Sequence, residues 1–369
     1  MQIVRRISLN NLLDYIYWRG DLTFEQDTLN EIDALILSKF SYIDFTLLAE
    51  EQLLADGLTI HEAANLWKKA DRKPFMPTGY LLHKQAYEAL TLAGNSNRFK
   101  DILIAKDIKR LSAEDESQFG VTVFHRNGLP FFIAFEGTDL RSIAWKEDLQ
   151  MSYLPQVPSQ RMATEFLGEH FEQYPYPVSI GGHSKGGNLA VFGAIFNSQK
   201  IQELIEGIYS YDSPGFRKSL LKNDYYKNIE HKIHSYVPQD SMIGLLMHKL
   251  EEQKVVYSHA TDSRQHDVFT WEIHGNRFVQ SELTESALQI KQLANDFLDE
   301  ISLDELEHFS EALFSIIGDG EDDYIMGDRL FRLDKIPRII IEFTNLSSES
   351  RQILLKVLRI FYRKRLELL

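Results

Sequence analysis

One serine in this sequence stands between two glycines at the spacing that a nucleophilic serine requires. Ser184 follows Gly182 and precedes Gly186 in the stretch PVSIGGHSKGGNLAVF. The uncharged, β-branched run Val178–Ile180 predicts a buried strand before it, and Asn188–Phe196 carries small and apolar residues at helical spacing. A strand, a tight turn and a helix form the nucleophile elbow, in which a strained backbone lifts the hydroxyl above the sheet. We therefore expect Ser184 to act as a nucleophile.

A histidine must take the proton from this serine, because a neutral hydroxyl is a weak nucleophile. Enzymes built on this elbow use the chain order serine, acid, histidine, so the base is sought after the last predicted strand. His266 lies there in a polar loop and is the preferred candidate. His259 is the alternative, although it would continue the strand and be partly buried, and His274 comes late in the segment.

Two aspartates could hold the imidazole in the required tautomer and stabilise its positive charge. Asp240 follows the second strand after the elbow, Lys232–Val237, and the residues between them give it reach toward His266. Asp212 follows the first such strand, in a turn that its own carboxylate can organise. The sequence favours Asp240 as the acid and leaves Asp212 as the alternative.

The chain after Asp240 predicts a binding surface for an acyl chain. Met242, Ile243 and Leu246 belong to a largely apolar segment, and methionine-rich surfaces adapt to flexible apolar ligands. We expect longer acyl chains to be preferred over acetyl esters, because each buried methylene contributes up to ~0.8 kcal/mol.

An oxyanion hole needs backbone amides that point to where the tetrahedral oxygen forms. One amide should belong to Lys185, directly after the nucleophile. The other should come from the turn Gly137–Thr138, which ends an earlier predicted strand. The sequence thus predicts main-chain donors at Thr138 and Lys185.

These residues all follow predicted strands, which implies a particular architecture. Strands and helices alternate through the middle of the chain, which predicts an α/β fold with a mostly parallel central sheet and helices on both faces. In such sheets the active groups gather at the carboxyl ends of the strands. Amphipathic helices precede the sheet, and only helices are predicted after Ser281. We expect a catalytic domain with N-terminal helices at 1–280 and a C-terminal helical region at 281–369.

Composition excludes several classes of protein. The 369-residue chain has a net charge of −14, which disfavours nucleic acid and anionic membranes as general partners. It contains no cysteine, so thiolate metal sites are excluded, and the acidic turn at 318–323 lacks the spacing of a calcium loop. Neither a transmembrane span nor a convincing signal peptide is found. A cytoplasmic protein that needs no metal or organic cofactor is expected, and its last amphipathic helix could support a homo-oligomer.

Several spaced motifs together resemble the class 3 lipase branch of the α/β-hydrolases. These are FEGTD (Phe135–Asp139), WKEDL (Trp145–Leu149) and GGHSKGGNLA. A closer resemblance is to a bacterial family of lipase-like serine hydrolases, which shares WRGDLTF, NEIDALILSKFSYIDF and QHDVFTW. The similarity covers roughly Leu12 to Trp271 and leaves the helices after Ser281 outside it.

This resemblance implies an α/β-hydrolase fold and a set of site residues. It implies Ser184 as nucleophile, His266 as base, and Thr138 with Lys185 as oxyanion donors. One position departs from the lipase pattern, because Glu136 stands where an arginine normally precedes Gly-Thr. Any ion pair that holds this loop must therefore differ.

The sequence as a whole predicts a serine esterase or lipase-like acyl hydrolase that acts on a small-molecule ester or a lipid. An acyltransferase or a thioesterase would use the same triad and is the first alternative. The second alternative is a catalytically silent hydrolase fold that binds proteins through its C-terminal helices. The intact elbow, followed in order by an aspartate and a histidine, speaks against silence.

Overall fold

The computed structural model describes residues 10–48, 57–69, 80–318 and 344–367 of the chain. Most of the acidic turn at 318–323 lies outside the described residues. The described helices are α1 (Leu12–Arg19), α2 (Glu31–Phe40), α3 (Ile60–Lys69), α4 (Tyr80–Ala93), α5 (Ser142–Gln150), α6 (Pro158–Gln173), α7 (Lys185–Ile195), α8 (Gln199–Leu204), α9 (Asp224–Ile229), α10 (Glu285–Glu300), α11 (Leu303–Ile317) and α12 (Ser348–Glu367). The strands are β1 (Leu58–Thr59), β2 (Leu103–Ser112), β3 (Ser117–Arg126), β4 (Leu129–Phe135), β5 (Val178–His183), β6 (Ile205–Tyr211), β7 (Ile233–Pro238), β8 (Gln253–Val256), β9 (Ile273–His274) and β10 (Arg277–Phe278).

Strands β1 to β8 form one sheet whose spatial order is the order of the chain. The first four strands pair antiparallel, and β4 to β8 pair parallel. The tight turn between β3 and β4 uses Asn127 and Gly128, both at positive φ, which is the pair that two-residue hairpin turns favour. Helices connect β4 to β5, β5 to β6 and β6 to β7, whereas a loop without a helix crosses from β7 to β8. The predicted α/β class with a mostly parallel sheet is confirmed.

The sheet separates two hydrophobic cores. On one face, helices α1 to α4 pack with sheet residues that include Phe124 and Phe132. On the other face, α6 and α7 pack with sheet residues that include Val121 and Ile133. Because successive side chains of a strand point to opposite faces, β3 and β4 are buried on both sides. The predicted arrangement of helices on both faces is confirmed, and the strand ends that carry the site are held from both sides.

A buried ion pair fixes the N-terminal helices to the start of the sheet region. Asp33 in α2 and Arg98 after α4 are 0% and 2% exposed, and Arg98 Nη2 lies 2.5 Å from Asp33 Oδ2. The same guanidinium donates to main-chain carbonyls of the loop between α1 and α2, at Leu22, Thr23, Asp27 and Thr28. The ion pair between Asp33 and Arg98 thus holds α2 in place.

The C-terminal helices dock on the region after α5. Apolar residues of α10, α11 and α12 form a separate cluster with Tyr153. Lys146 of α5 pairs with Glu311 at 3.1 Å, and Lys218 pairs with Asp299 at 2.6 Å. The predicted C-terminal helices are confirmed. Among the helices in the described ranges, none has the length and apolar character needed to cross a membrane.

Candidate active site

Ser184 occupies a strained turn between β5 and α7. Its backbone has φ +58° and ψ −134°, a left-handed conformation that residues other than glycine rarely adopt. Its amide donates to the carbonyl of Tyr211 at 2.9 Å, which ties the turn to the end of β6. The neighbouring glycines are required by space: a Cβ at Gly182 would lie 2.3 Å from the carbonyl carbon of Gly186. A Cβ at Gly186 would lie 2.1 Å from the carbonyl oxygen of Phe135. The predicted strand, strained turn and helix are confirmed.

The imidazole of His266 contacts Asp212. His266 Nδ1 lies 2.7 Å from Asp212 Oδ2, and Asp212 is 1% exposed. The other carboxylate oxygen, Oδ1, accepts from Ser241 Oγ at 2.5 Å and from the amide of Gly244 at 3.0 Å. Because Asp212 holds Nδ1, the second ring nitrogen of His266 is directed away from the acid. This is the arrangement of an orienting acid and a general base.

Asp240 does not reach His266, which corrects the preference for it as the acid. Its carboxylate instead accepts from the hydroxyls of Thr284 and Ser286, where α10 begins. The reason lies in the sheet register. His183 pairs with Tyr211 between β5 and β6, so Asp212 comes next to the elbow. Asp240 follows β7, one strand farther from Ser184.

The carboxylate of Asp212 also differs from its expected role as the organiser of its own turn. It binds the segment after Asp240, through Ser241 and Gly244. Asp212 has φ +44°, a conformation that aspartate tolerates better than most residues. The loop after β7 therefore holds Asp212 in place.

His266 lies at the end of the 3₁₀ turn Asp262–His266, and its side chain is 30% exposed. The main chain of this turn is held by His183, whose Nε2 lies 2.9 Å from the carbonyl oxygen of His266. The alternative base, His259, pairs with Glu272, with 3.4 Å between Nε2 and Oε2. His266 is thus the histidine that meets an aspartate beside the elbow.

His183, the residue before Ser184, makes contacts to the loop of His266 that the sequence interpretation missed. Burial lowers the pKa of His183 well below its usual value, with the charges of Lys39 and His266 acting in the same direction, so the ring is neutral. Since a carbonyl only accepts, His183 Nε2 carries the proton and donates to His266. Nδ1 then accepts from the hydroxyl of Tyr42 at 2.9 Å. A chain of hydrogen bonds therefore runs from Tyr42 through His183 to His266.

The loop after β4 carries the second predicted oxyanion donor. Thr138 Oγ1 donates a hydrogen bond to Asp148 Oδ2 in α5 at 2.6 Å, so the hydroxyl of Thr138 is already used in this contact. The ammonium of Lys185 is buried and lies 2.9 Å from Glu147 Oε2. Neither side chain is positioned by these contacts as an oxyanion donor. The amide of Lys185 is in the first turn of α7, where helix amides have no partner within the helix. Main-chain donation at Thr138 and Lys185 stays a prediction.

Glu136, where the lipase pattern has arginine, pairs with a lysine of β2. Lys109 Nζ lies 3.0 Å from Glu136 Oε2 and also donates to the carbonyl of Ser41. Burial raises the pKa of Glu136 to about 7, although Lys109 opposes the shift. The loop before Thr138 is therefore held by an ion pair of the opposite polarity, as the departure from the lipase pattern led us to expect.

The predicted acyl-binding residues border the acid. Met242 is 40% exposed, and Ile243 and Leu246 are half-buried. The segment they belong to is fastened to Asp212 through Gly244 and to Gly215 through the carbonyl of Leu246. Their position beside the acid is compatible with contact to substrate, and that contact stays a prediction.

Comparison with known proteins gives one family match. The model of a family described as Mbeg1-like matches residues 93–315, from the end of α4 through most of α11. The match begins later than the resemblance quoted above and extends beyond it. It includes helices after Ser281 that the sequence interpretation had placed outside the related region, which corrects that limit. No curated protein matches the chain.

Proposed function

The chain belongs to the Mbeg1-like family, which is lipase-like, and on that premise we propose that it is a serine hydrolase that cleaves carboxylic esters. The observation that carries the proposal is the contact of His266 Nδ1 with buried Asp212, 2.7 Å apart, beside a serine held at positive φ. We assign the roles of nucleophile, base and acid to Ser184, His266 and Asp212.

The proposed reaction uses these groups in two steps. Ser184 Oγ attacks the ester carbonyl while His266 Nε2 takes its proton, and main-chain amides stabilise the negative oxygen. The alcohol leaves with the proton from His266 and an acyl-enzyme remains. Water then attacks the acyl-enzyme with His266 again as the base, and the carboxylic acid is released. Asp212 keeps the proton of the neutral imidazole on Nδ1 and stabilises the imidazolium.

The three proposed catalytic residues come from distant segments of the chain, and two features of the structure bring them together. On one side of Ser184, His183 donates a hydrogen bond to the main-chain carbonyl of His266. On the other side, the carbonyl of Tyr211, the residue before Asp212, accepts a hydrogen bond from the amide of Ser184. The loop after β7 holds Oδ1 of Asp212 through Ser241 and Gly244, which leaves Oδ2 to His266. We propose that its residues Met242, Ile243 and Leu246 contact the acyl chain, with longer chains preferred over acetyl.

Fluorophosphonate labelling tests the proposal. The wild-type protein should be labelled and should hydrolyse 4-nitrophenyl butyrate, and Ser184→Ala should lose both while keeping its melting temperature. Ser152→Ala is a matched control, because within the described ranges this hydroxyl donates to the carbonyl of Leu149 and to no other group. Labelling that persists in Ser184→Ala, or a wild-type protein without labelling or turnover, would refute a serine hydrolase and favour the catalytically silent alternative.

Transfer and hydrolysis share the acyl-enzyme, so the acyltransferase and thioesterase alternatives are separated by products. Adding a primary alcohol or a thioester substrate to unlabelled wild-type protein and measuring the new ester or the released thiol distinguishes them. The domain boundary at 280 and a homo-oligomer through the C-terminal helices stay predictions, since the family match crosses that boundary.

A further inference from the structure

A buried lysine that forms no ion pair with a described carboxylate lies among the loops of the candidate site. Lys39, at the end of α2, is 7% exposed, and its ammonium lies 3.7 Å from the centroid of the Tyr42 ring. Among the described residues, no carboxylate comes within ion-pairing distance of it. The charges of Asp267 and Glu136 act on it from farther away.

The neighbours of this ammonium locate it at the site. The hydroxyl of Tyr42 bonds to Nδ1 of His183 at 2.9 Å and to its carbonyl at 3.2 Å, and the amide of Gly137 donates to it. The ring of Tyr42 therefore lies between Lys39 on one side and the elbow and the loop Gly137–Thr138 on the other. The strongest carboxylate charge felt by Lys39 is that of Asp267, next to the base.

Both nearby acids are already engaged. Glu136 pairs with Lys109 at 3.0 Å, and Asp267 Oδ1 accepts from the amide of Phe269 at 3.1 Å. Burial lowers the pKa of Lys39 to about 8, so the amine is still mainly protonated at neutral pH. A buried cation that no carboxylate contacts is costly, and an anion brought by the substrate would offset that cost.

Resting on the proposed esterase function, we infer that Lys39 selects substrates that carry an anionic group, a carboxylate or a phosphate, near the ester. The ammonium would bind this group while Ser184 attacks the carbonyl. Lys39 is then a specificity-determining residue, and the substrate class is acidic esters, whether a dicarboxylic monoester or an acylated phosphate.

Matched ester pairs test the inference. The first pair is the 4-nitrophenyl monoester of succinic acid and the same compound with its free carboxyl group methylated. This pair places the charge on the acyl side of the ester. The second pair is oleoyl lysophosphatidic acid and monoolein, which places a phosphate on the alcohol side. For each pair we compare the ratio of kcat/KM for the anionic over the neutral ester.

The variants are Lys39→Met, Lys39→Arg and the control Lys227→Met, which removes an exposed lysine of helix α9. We expect the wild-type ratio to exceed one for at least one pair and to fall by ~10- to 100-fold in Lys39→Met, the range of a charge-assisted contact. Lys39→Arg should retain most of the ratio and Lys227→Met all of it. The pair that responds identifies which side of the ester carries the charge.

Other results overturn the inference. A ratio that is equal in wild type and Lys39→Met, with both esters slowed alike, would show that Lys39 only packs on Tyr42. A wild-type ratio of kcat/KM below one for both pairs would also contradict selection of anionic esters, whatever the variants show. In either case, turnover of the neutral esters leaves the proposed function standing. A wild-type protein that is not labelled and hydrolyses none of the four esters refutes the proposed function and, with it, the inference.

Discussion

Replacing Asp212 by asparagine separates the two candidate acids. The substitution keeps the shape of the side chain, and its environment dictates how the amide must lie. Ser241 and Gly244 both donate to Oδ1, at 2.5 and 3.0 Å, so this position has to stay an acceptor. Turning the amide over would set its NH₂ against the amide of Gly244 and leave a buried donor unpaired, at a cost of ~1–3 kcal/mol. The NH₂ of the new side chain therefore faces His266.

The consequence is the wrong imidazole tautomer. With an NH₂ donor at 2.7 Å, His266 Nδ1 must accept, so the proton of the neutral ring moves to Nε2. That tautomer cannot take the proton of Ser184. The same change in a serine protease costs ~10⁴ in kcat, which at ~1.36 kcal/mol per factor of ten is ~5.4 kcal/mol of activation free energy. We expect Asp212→Asn to lose turnover of 4-nitrophenyl butyrate by this factor with little change in melting temperature.

Asp240→Asn is the matched control. An amide oxygen can still accept from Thr284 and Ser286, and no contact to His266 is removed. We expect kcat within ~3-fold of wild type, as for substitutions away from the site. The reasoning is refuted if Asp212→Asn keeps kcat within tenfold of wild type while Asp240→Asn is folded and inactive.

Three further predictions concern stability and the elbow. Burial raises the pKa of Asp148 to about 6, so this carboxyl group destabilises the folded wild type as the pH rises from about 4 to 6. In urea unfolding, Asp148→Asn should therefore be more stable than the wild type by up to ~3 kcal/mol at pH 7.5. The two proteins should have equal free energies of unfolding at about pH 4. Asp33→Ala leaves Arg98 buried without its partner and should cost ~3–5 kcal/mol in the same assay, whereas Asp33→Leu combined with Arg98→Met should cost less; equal losses would contradict this. Gly186→Ala should abolish phosphonate labelling of any folded protein recovered, since its Cβ would lie 2.1 Å from a main-chain oxygen, and retained labelling would count against the steric argument.

The elbow could be predicted from sequence because its determinants are local. Gly182, Ser184 and Gly186 lie in one turn, and the strand and helix around them have clear periodicity. Chain order and a polar loop singled out His266, and the structure shows this histidine in contact with an aspartate; its role as base stays a prediction. The sheet class followed from the alternation of elements, and the structure confirms it.

The acid could not be chosen from sequence because two aspartates follow strands in equivalent ways. The choice depends on the register of β5 with β6, which places Asp212 rather than Asp240 beside Ser184. The positioning chain from Tyr42 to His183 joins residues 141 apart, so no local pattern reveals it. Lys39 looked like one residue of an amphipathic helix, and its lack of an ion-pair partner among the described residues becomes visible only with the neighbouring loops in place.

The hydrogen bonds from Tyr42 through His183 to His266 have a consequence for biosynthesis. The ribosome makes Tyr42 141 residues before His183, and His266 another 83 residues later. At ~5–20 residues per second, the first of these groups waits roughly 10 to 45 seconds for the last. During the first part of that time α2 lacks strands β4 to β6, on which it packs in the finished fold. The hydrogen-bond chain to His266 therefore cannot form before residue 266 has been made, and a shorter nascent chain lacks the proposed base.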